Sequence, residues 1–169
     1  MLYILFFISV FLIGSIPFGL LICNHLLKID IRKEGSGNIG MTNVMRVGGK
    51  WPGIITFLLD FGKGVIVVLI AKIFFLNSDL KLENQILLLN LSGVVVVLGH
   101  VFSVFLRFKG GKGISTLFGI LSILHFNIAL ISAIIWTIIF TWKNISSLSA
   151  ITMLSILPFL FLVLPWAQN

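Results

Sequence analysis

Two short runs combine glycine with cations in a chain otherwise built largely from hydrocarbon side chains. The first is Gly35-Ser36-Gly37-Asn38-Ile39-Gly40-Met41-Thr42-Asn43-Val44-Met45-Arg46, twelve residues with three glycines, four small polar side chains and one arginine. The second is Phe108-Lys109-Gly110-Gly111-Lys112-Gly113. Glycine lets the backbone turn its N–H groups to one side and lets a ligand approach the main chain. A concave run of such groups, with hydroxyls and a cation beside it, binds anions. Either run could equally be a plain turn between hydrophobic segments, and neither matches the nucleotide-binding pattern G-x-x-x-x-G-K-[ST]. They form one phosphate site only if the elements around them bring them together.

Those elements are membrane spans. The 169 residues are 59% hydrophobic and only 10% charged, with mean hydropathy +1.18, whereas a soluble domain is about half apolar and a quarter charged. The composition predicts an all-α, polytopic helical membrane protein, a single domain over residues 1–169. The one cysteine, Cys23, excludes disulfides within the chain and cysteine-based zinc sites. The net charge of +7 falls mostly in loops between spans, which serves membrane orientation and gives no reason to invoke nucleic acid.

About six spans are expected. The first covers Met1 to about Leu27; no Lys or Arg precedes Lys28, so it lacks the basic start of a secretory signal and reads as a retained helix. Gly14-Ser15-Ile16-Pro17-Phe18-Gly19 interrupts it, small residues allowing close helix contact and the proline freeing a carbonyl for neighbours. After the loop Lys28–Lys50, Trp51-Pro52 opens the second span, which runs to about Leu76. The third covers roughly Gln85 to Val101. From Ile114 to Trp142 two apolar runs break near His125-Phe126-Asn127; at about 14 residues and about 21 Å each they fall short of a hydrocarbon core of about 30 Å. They are expected to be two short spans rather than a re-entrant pair. The last span runs from Leu148 to about Trp166.

Charge then orients the molecule. Lys28, Arg32, Lys33, Arg46, Lys50, Arg107, Lys109, Lys112 and Lys143 lie in loops on one side, against Lys81 alone on the other. Such asymmetry puts the N-terminus outside and both glycine loops in the cytoplasm.

Asp60 and Lys63 lie inside the second span, Asp60 about 12 Å along the helix from Pro52. Ionisable residues at such depth face protein or water, and a spacing of three puts this pair on one helix face. It is either a structural ion pair or a site in which Lys63 helps hold a phosphate. His100, after Gly99 at the cytoplasmic end of the third span, is a candidate base or a capping residue. No His/Asp/Glu cluster has metal-ligand spacing and no G-x-S-x-G elbow is present, so neither metal nor other cofactor is expected.

The ordered motifs resemble a known family, the bacterial membrane acyltransferases that acylate glycerol 3-phosphate from acyl phosphate (PlsY-type). The resemblance runs through Gly14–Gly19, Ile29–Arg32, Ser36–Arg46, Leu59-Asp60 with Lys63-Gly64, Gly99–Ser103, Phe108–Gly113 and more faintly Ser147-Leu148-Ser149. It implies synthesis of 1-acylglycerol 3-phosphate on the cytoplasmic side of the inner membrane, with acyl phosphate, glycerol 3-phosphate and membrane lipid as partners. It implies catalytic roles for Ser36, Arg46 and Lys112. Substrate binding is expected from Asn38, Thr42, Asn43, Lys63, Lys109, Gly110, Gly111, Gly113 and Ser147. The family ordinarily adds a seventh span with a His-x-x-Asn segment; the sequence stops at Asn169 without an equivalent, so binding is expected to exceed turnover. The rival readings are a transporter of a phosphorylated solute, since buried charges and glycine breaks also mark substrate paths, and a non-catalytic remnant.

Overall fold

The computed structural model describes residues 1–164, and among them every regular element is helical. Two compact units divide at Ile120/Leu121. The expected all-α membrane architecture holds: four helices are long and apolar enough to cross a bilayer, and a bent helix pair makes a fifth candidate.

That pair is the first expected span. Helix α1 (Leu2–Ser15) stops at Ile16-Pro17, and α2 (Phe18–Ile22) resumes at 44° to it, ending in a π-helical turn over Cys23–Leu27. Pro17 adopts φ −91° and ψ 72°, and Phe18 N–H donates to Ile16 O at 3.2 Å, the pattern of an inverse γ-turn. Proline has no N–H to continue the ladder, so the chain turns in the middle of the span.

Helix α3 (Met41–Gly48) lies in the first polar loop and leads into α4 (Lys50–Leu76), whose ends match the expectation from Trp51-Pro52. Helix α5 (Leu82–Val101) follows. In this first unit α1 packs on α5 main chain to main chain: a methyl at Gly14 would sit 2.3 Å from Val96 O, and one at Gly99 would sit 2.3 Å from Phe11 O. Small residues at a crossing permit that approach where lipid offers no competing hydrophobic drive. At the far end of α1, Tyr3 and Phe6 stack against Phe74 and Phe75 of α4, with Phe75 wholly buried. Because α1 and α4 are fixed at that end, the break at Ile16 is held at one depth beside the middle of α4.

Helix α6 (Ile114–Leu124) starts in the first unit; α7 (Phe126–Lys143) and α8 (Ser146–Val163) make up the helices of the second. The two runs expected to be equally short are unequal. The break is confined to His125, so α6 keeps 11 residues while α7 extends through Trp142 to Lys143 and reaches 18, about 27 Å. Helices α7 and α8 pack on each other, with Ile128, Ala129 and Ser132 buried on one and Ser149, Ala150 and Met153 on the other. The expected end of the last span at Trp166 lies outside the described residues.

Candidate active site

The first loop is folded around one amide. Asn43 is buried, on the first turn of α3; its Oδ1 accepts from Ser36 N–H at 2.8 Å, and its Nδ2 donates to Glu34 O at 3.0 Å and Asn38 O at 2.9 Å. Asn38 in turn accepts from Gly40 N–H at 2.8 Å through its own Oδ1. Gly35 and Gly37 have φ of +58° and +71°, a left-handed backbone that glycine adopts without a Cβ penalty. Upstream, Asp30 takes the Arg32 guanidinium at 2.9 and 2.7 Å and caps the turn Ile31–Lys33. That bond to Arg32 holds the Asp30 carboxyl down at about 2.

Asn43 was expected to touch substrate. Both its amide hydrogens and its oxygen are already occupied, and Arg46 Nη1 reaches the same oxygen at 3.4 Å. Its short bonds tie the main chain of Glu34, Ser36 and Asn38 together.

The second loop is tied differently. After α5 ends, Gly110 N–H donates to Val101 O at 2.9 Å and Gly111 N–H to His100 O at 3.1 Å, while Lys109 N–H donates to Leu106 O at 3.1 Å. These amides satisfy carbonyls that a helix C-terminus leaves open. The glycines expected to cradle a phosphate with their N–H groups instead anchor the loop to α5. Gly113, with φ +76°, starts α6 by accepting from Leu117 N–H. Lys109 and Lys112 remain exposed.

The two loops share one small core. Ile31, Ile39 and Val44 from the first loop and α3 pack with Leu20 and Cys23 of the bent span and with Leu106 of the second loop. Arg46 on α3 and Lys112 in the second loop are both exposed, and Lys112 feels the Arg46 charge. Partial desolvation first, and then the Arg46 charge, push the Lys112 ammonium below its ordinary value of 10.5. The ion pairs among the described residues are Arg32–Asp30 and Lys63–Asp60, together with a His100–Asp60 contact, so neither Arg46 nor Lys112 has a carboxylate partner there. Two cations within electrostatic reach of each other and without such a partner make a place for an anion. Ser36 is exposed, with its main chain bonded to Asn43 at the foot of the same loop. Thr42 is half-buried on α3. Ser147 is exposed on the first turn of α8, in the second unit.

Beneath the loops lies a buried polar group that the sequence only half discloses. Lys63 and Asp60 are each 2% exposed in their side chains, with Nζ 2.8 Å from Oδ1. The ammonium also donates to Ile16 O at 3.1 Å, a carbonyl at the helix break, and lies 2.8 Å from His100 Nδ1 and 5.7 Å from the centre of the Phe18 ring. Two hydrogen bonds, to Ile16 O and His100 Nδ1, and the ion pair with Asp60 thus engage the ammonium inside the protein. Ser103 completes the junction by donating to Ser15 O at 2.5 Å. The i, i+3 spacing revealed Asp60–Lys63, but His100 and Ile16 O are far away in sequence and nothing local signals them. Pro17 was the one available clue, since it frees carbonyls around it.

A sequence profile described as glycerol-3-phosphate acyltransferase matches residues 4–168. A glycerol-3-phosphate acyltransferase of Bartonella quintana is 43% identical over 152 residues, covering 90% of this chain and 70% of the relative. One of Aquifex aeolicus is 44% identical over 156 residues, covering 92% and 76%. Among solved structures, PlsY, an integral membrane glycerol 3-phosphate acyltransferase, is similar at 39% identity. Its glycerol 3-phosphate form superposes with a TM-score of 0.83 over 100% of this chain and 80% of that one. Its lysophosphatidic acid form gives 0.79, over 98% and 79%.

Proposed function

The chain belongs to the glycerol-3-phosphate acyltransferase family, and on that premise we propose that it transfers an acyl group from acyl phosphate to glycerol 3-phosphate at the Arg46/Lys112 site. The product is 1-acylglycerol 3-phosphate, the reaction belongs to phospholipid synthesis, and the site faces the cytoplasm from a bacterial inner membrane. The observation that carries the reading is that the two cation-bearing loops share one core, with Lys112 within electrostatic reach of Arg46.

Acyl phosphate is already activated, so the protein has mainly to position two anions and stabilise a leaving phosphate. Orientation of two bound reactants contributes about 7–11 kcal/mol to lowering such a barrier. The glycerol hydroxyl oxygen bonds to the acyl carbon, the carbon–oxygen bond to phosphate breaks, and a substrate phosphate oxygen takes the hydroxyl proton. Arg46 and Lys112 stabilise the charge that gathers on the departing phosphate. Ser36 lies in the same loop as Arg46 to orient substrate, with Asn38, Thr42 and Lys109 as further contacts.

Membranes carrying the chain test this directly. Acyl transfer from acyl phosphate, dependent on glycerol 3-phosphate and lost in Lys112→Ala, is the expected result. Absence of transfer, with uptake of a phosphorylated solute by sealed vesicles, would establish the transporter instead.

A further inference from the structure

His100 is a buried imidazole, 4% exposed, that the acyl-transfer steps do not use. Its Nδ1 lies 2.8 Å from the Lys63 ammonium and 3.5 Å from Asp60 Oδ1. An ammonium only donates, and 3.5 Å is too long for a well-formed bond to the carboxylate. With Lys63 charged, Nδ1 accepts and the ring proton sits on Nε2. That edge of the ring faces Gly111: a Cβ built there would lie 2.2 Å from Nε2 and 3.1 Å from both neighbouring ring carbons. The histidine's own carbonyl meanwhile receives Gly111 N–H. One residue thus touches the glycine loop twice, through its main chain and through a ring edge that fills the space a side chain at Gly111 would occupy.

We propose that His100 is a positioning residue for substrate phosphate, setting the height of the Lys109–Gly113 loop and hence the place of Lys112 opposite Arg46. The network below makes the ring a rigid support. Lys63 is held by Asp60 and by Ile16 O at the break in the first span, and it fixes the rotation of the imidazole. The carbonyl at the break in the first span, the buried ion pair and the glycine loop are then one construction across α1, α4 and α5. The inference rests on the Arg46/Lys112 reading for its consequence in catalysis, but the tie between His100 and the loop can be measured without any substrate.

The test uses the full chain purified in detergent. His100→Asn keeps an amide oxygen near the position of Nδ1 for Lys63 and removes the ring edge from Gly111. Gly111→Ala keeps the ring and adds the colliding methyl. Hydrogen exchange of residues 109–113, read without ligand, should quicken in each single variant while the interior of α5 stays protected. In acyl transfer, KM for glycerol 3-phosphate should rise about tenfold with kcat changed by less than about threefold, the pattern of lost substrate binding. The double variant Gly111→Ala/His100→Asn should bind better than Gly111→Ala alone, because the methyl then has room. Unchanged loop exchange in both single variants, or penalties that simply add in the double variant, would overturn the proposal. A chain that shows the exchange changes without catalysing transfer would retain the tie and refute only the acyltransferase assignment of the site.

Discussion

The two glycine loops look alike in sequence and are built on opposite plans. In the first, residues 35–46, a buried side chain holds the main chain: Asn43 gathers Glu34, Ser36 and Asn38 around one amide. In the second, residues 109–113, main chain holds main chain: the amides of Gly110 and Gly111 close on the last carbonyls of α5. Glycine serves the first by allowing positive φ at Gly35 and Gly37, and the second by allowing contact with no side chain between. A glycine-rich run beside a cation is therefore weak evidence that its N–H groups bind phosphate. Here the glycines shape and tie down the loops that carry the cations.

If the plans differ, the loops should break differently. Gly110→Ala is expected to have the largest effect, because its Cβ would lie 2.0 Å from His100 O and 2.8 Å from Val101 O, main-chain atoms that cannot swing aside. The loop must lift off α5 and take Lys112 with it. Acyl transfer should fall by roughly 10²-fold or more, the scale of losing one group that stabilises the transition state. Near-normal kcat/KM in Gly110→Ala would show that the loop has another way to seat.

Asn43→Ala comes next, and attacks the side-chain plan. It strips partners from Ser36 N–H and from the carbonyls of Glu34 and Asn38; each buried group left unpaired costs about 1–3 kcal/mol, though solvent can rescue some in an exposed loop. The expected outcome is an unfolding temperature lowered by several degrees and kcat/KM down about tenfold, with both losses small in Asn43→Ser only if water fills the gap. An Asn43→Ala chain as stable and active as wild type would place the loop's support elsewhere.

The span pattern was legible because hydropathy and interface residues act locally. Trp51-Pro52 marked the start of α4 to within a residue, and Gly14–Gly19 marked a real break. Helix α3 was not foreseen, although Met41, Val44, Met45 and Val47 recur at helical spacing. Its eight residues sit between glycines, and a helix so short draws its stability from packing, here of Val44 on Ile31 and Leu106, rather than from propensity. The site was legible in its cations and illegible in its bonding. Sequence shows that Asn43, Lys63, Gly110 and Gly111 have donors; it cannot show that the Glu34 and Asn38 carbonyls, Ile16 O and the end of α5 meet them.

Arg46→Lys sharpens the comparison from the ligand side and should cost less than either loop break. The guanidinium presents a planar fork that matches two phosphate oxygens, whereas an ammonium is a single point of charge. The loop stays intact because Asn43 loses only a long 3.4 Å contact. KM for glycerol 3-phosphate should rise about fourfold, roughly 0.8 kcal/mol of binding. Unaltered dependence on glycerol 3-phosphate would remove Arg46 from the phosphate clamp.

The smallest effect is one of pH, and it belongs to Lys112. Burial and then Arg46 hold its pKa below 10.5 in the free protein; a bound phosphate dianion between the two cations must raise it again. Binding then draws a proton onto Lys112 whenever the pH lies between the free and the bound values. By linkage the affinity for glycerol 3-phosphate is full below the free-state pKa and declines as pH rises through that window. Folding carries the opposite sign. A lysine whose pKa is lowered on folding leaves the unfolded chain holding more protons there, so stability of the ligand-free protein rises slightly over the same alkaline range. Titrating affinity and unfolding temperature together separates the two, since Lys112→Gln should flatten both alkaline slopes. If affinity is flat to pH 10 in the wild-type chain while Arg46→Lys still raises KM, then Arg46 alone holds the phosphate and the second loop contributes shape without charge.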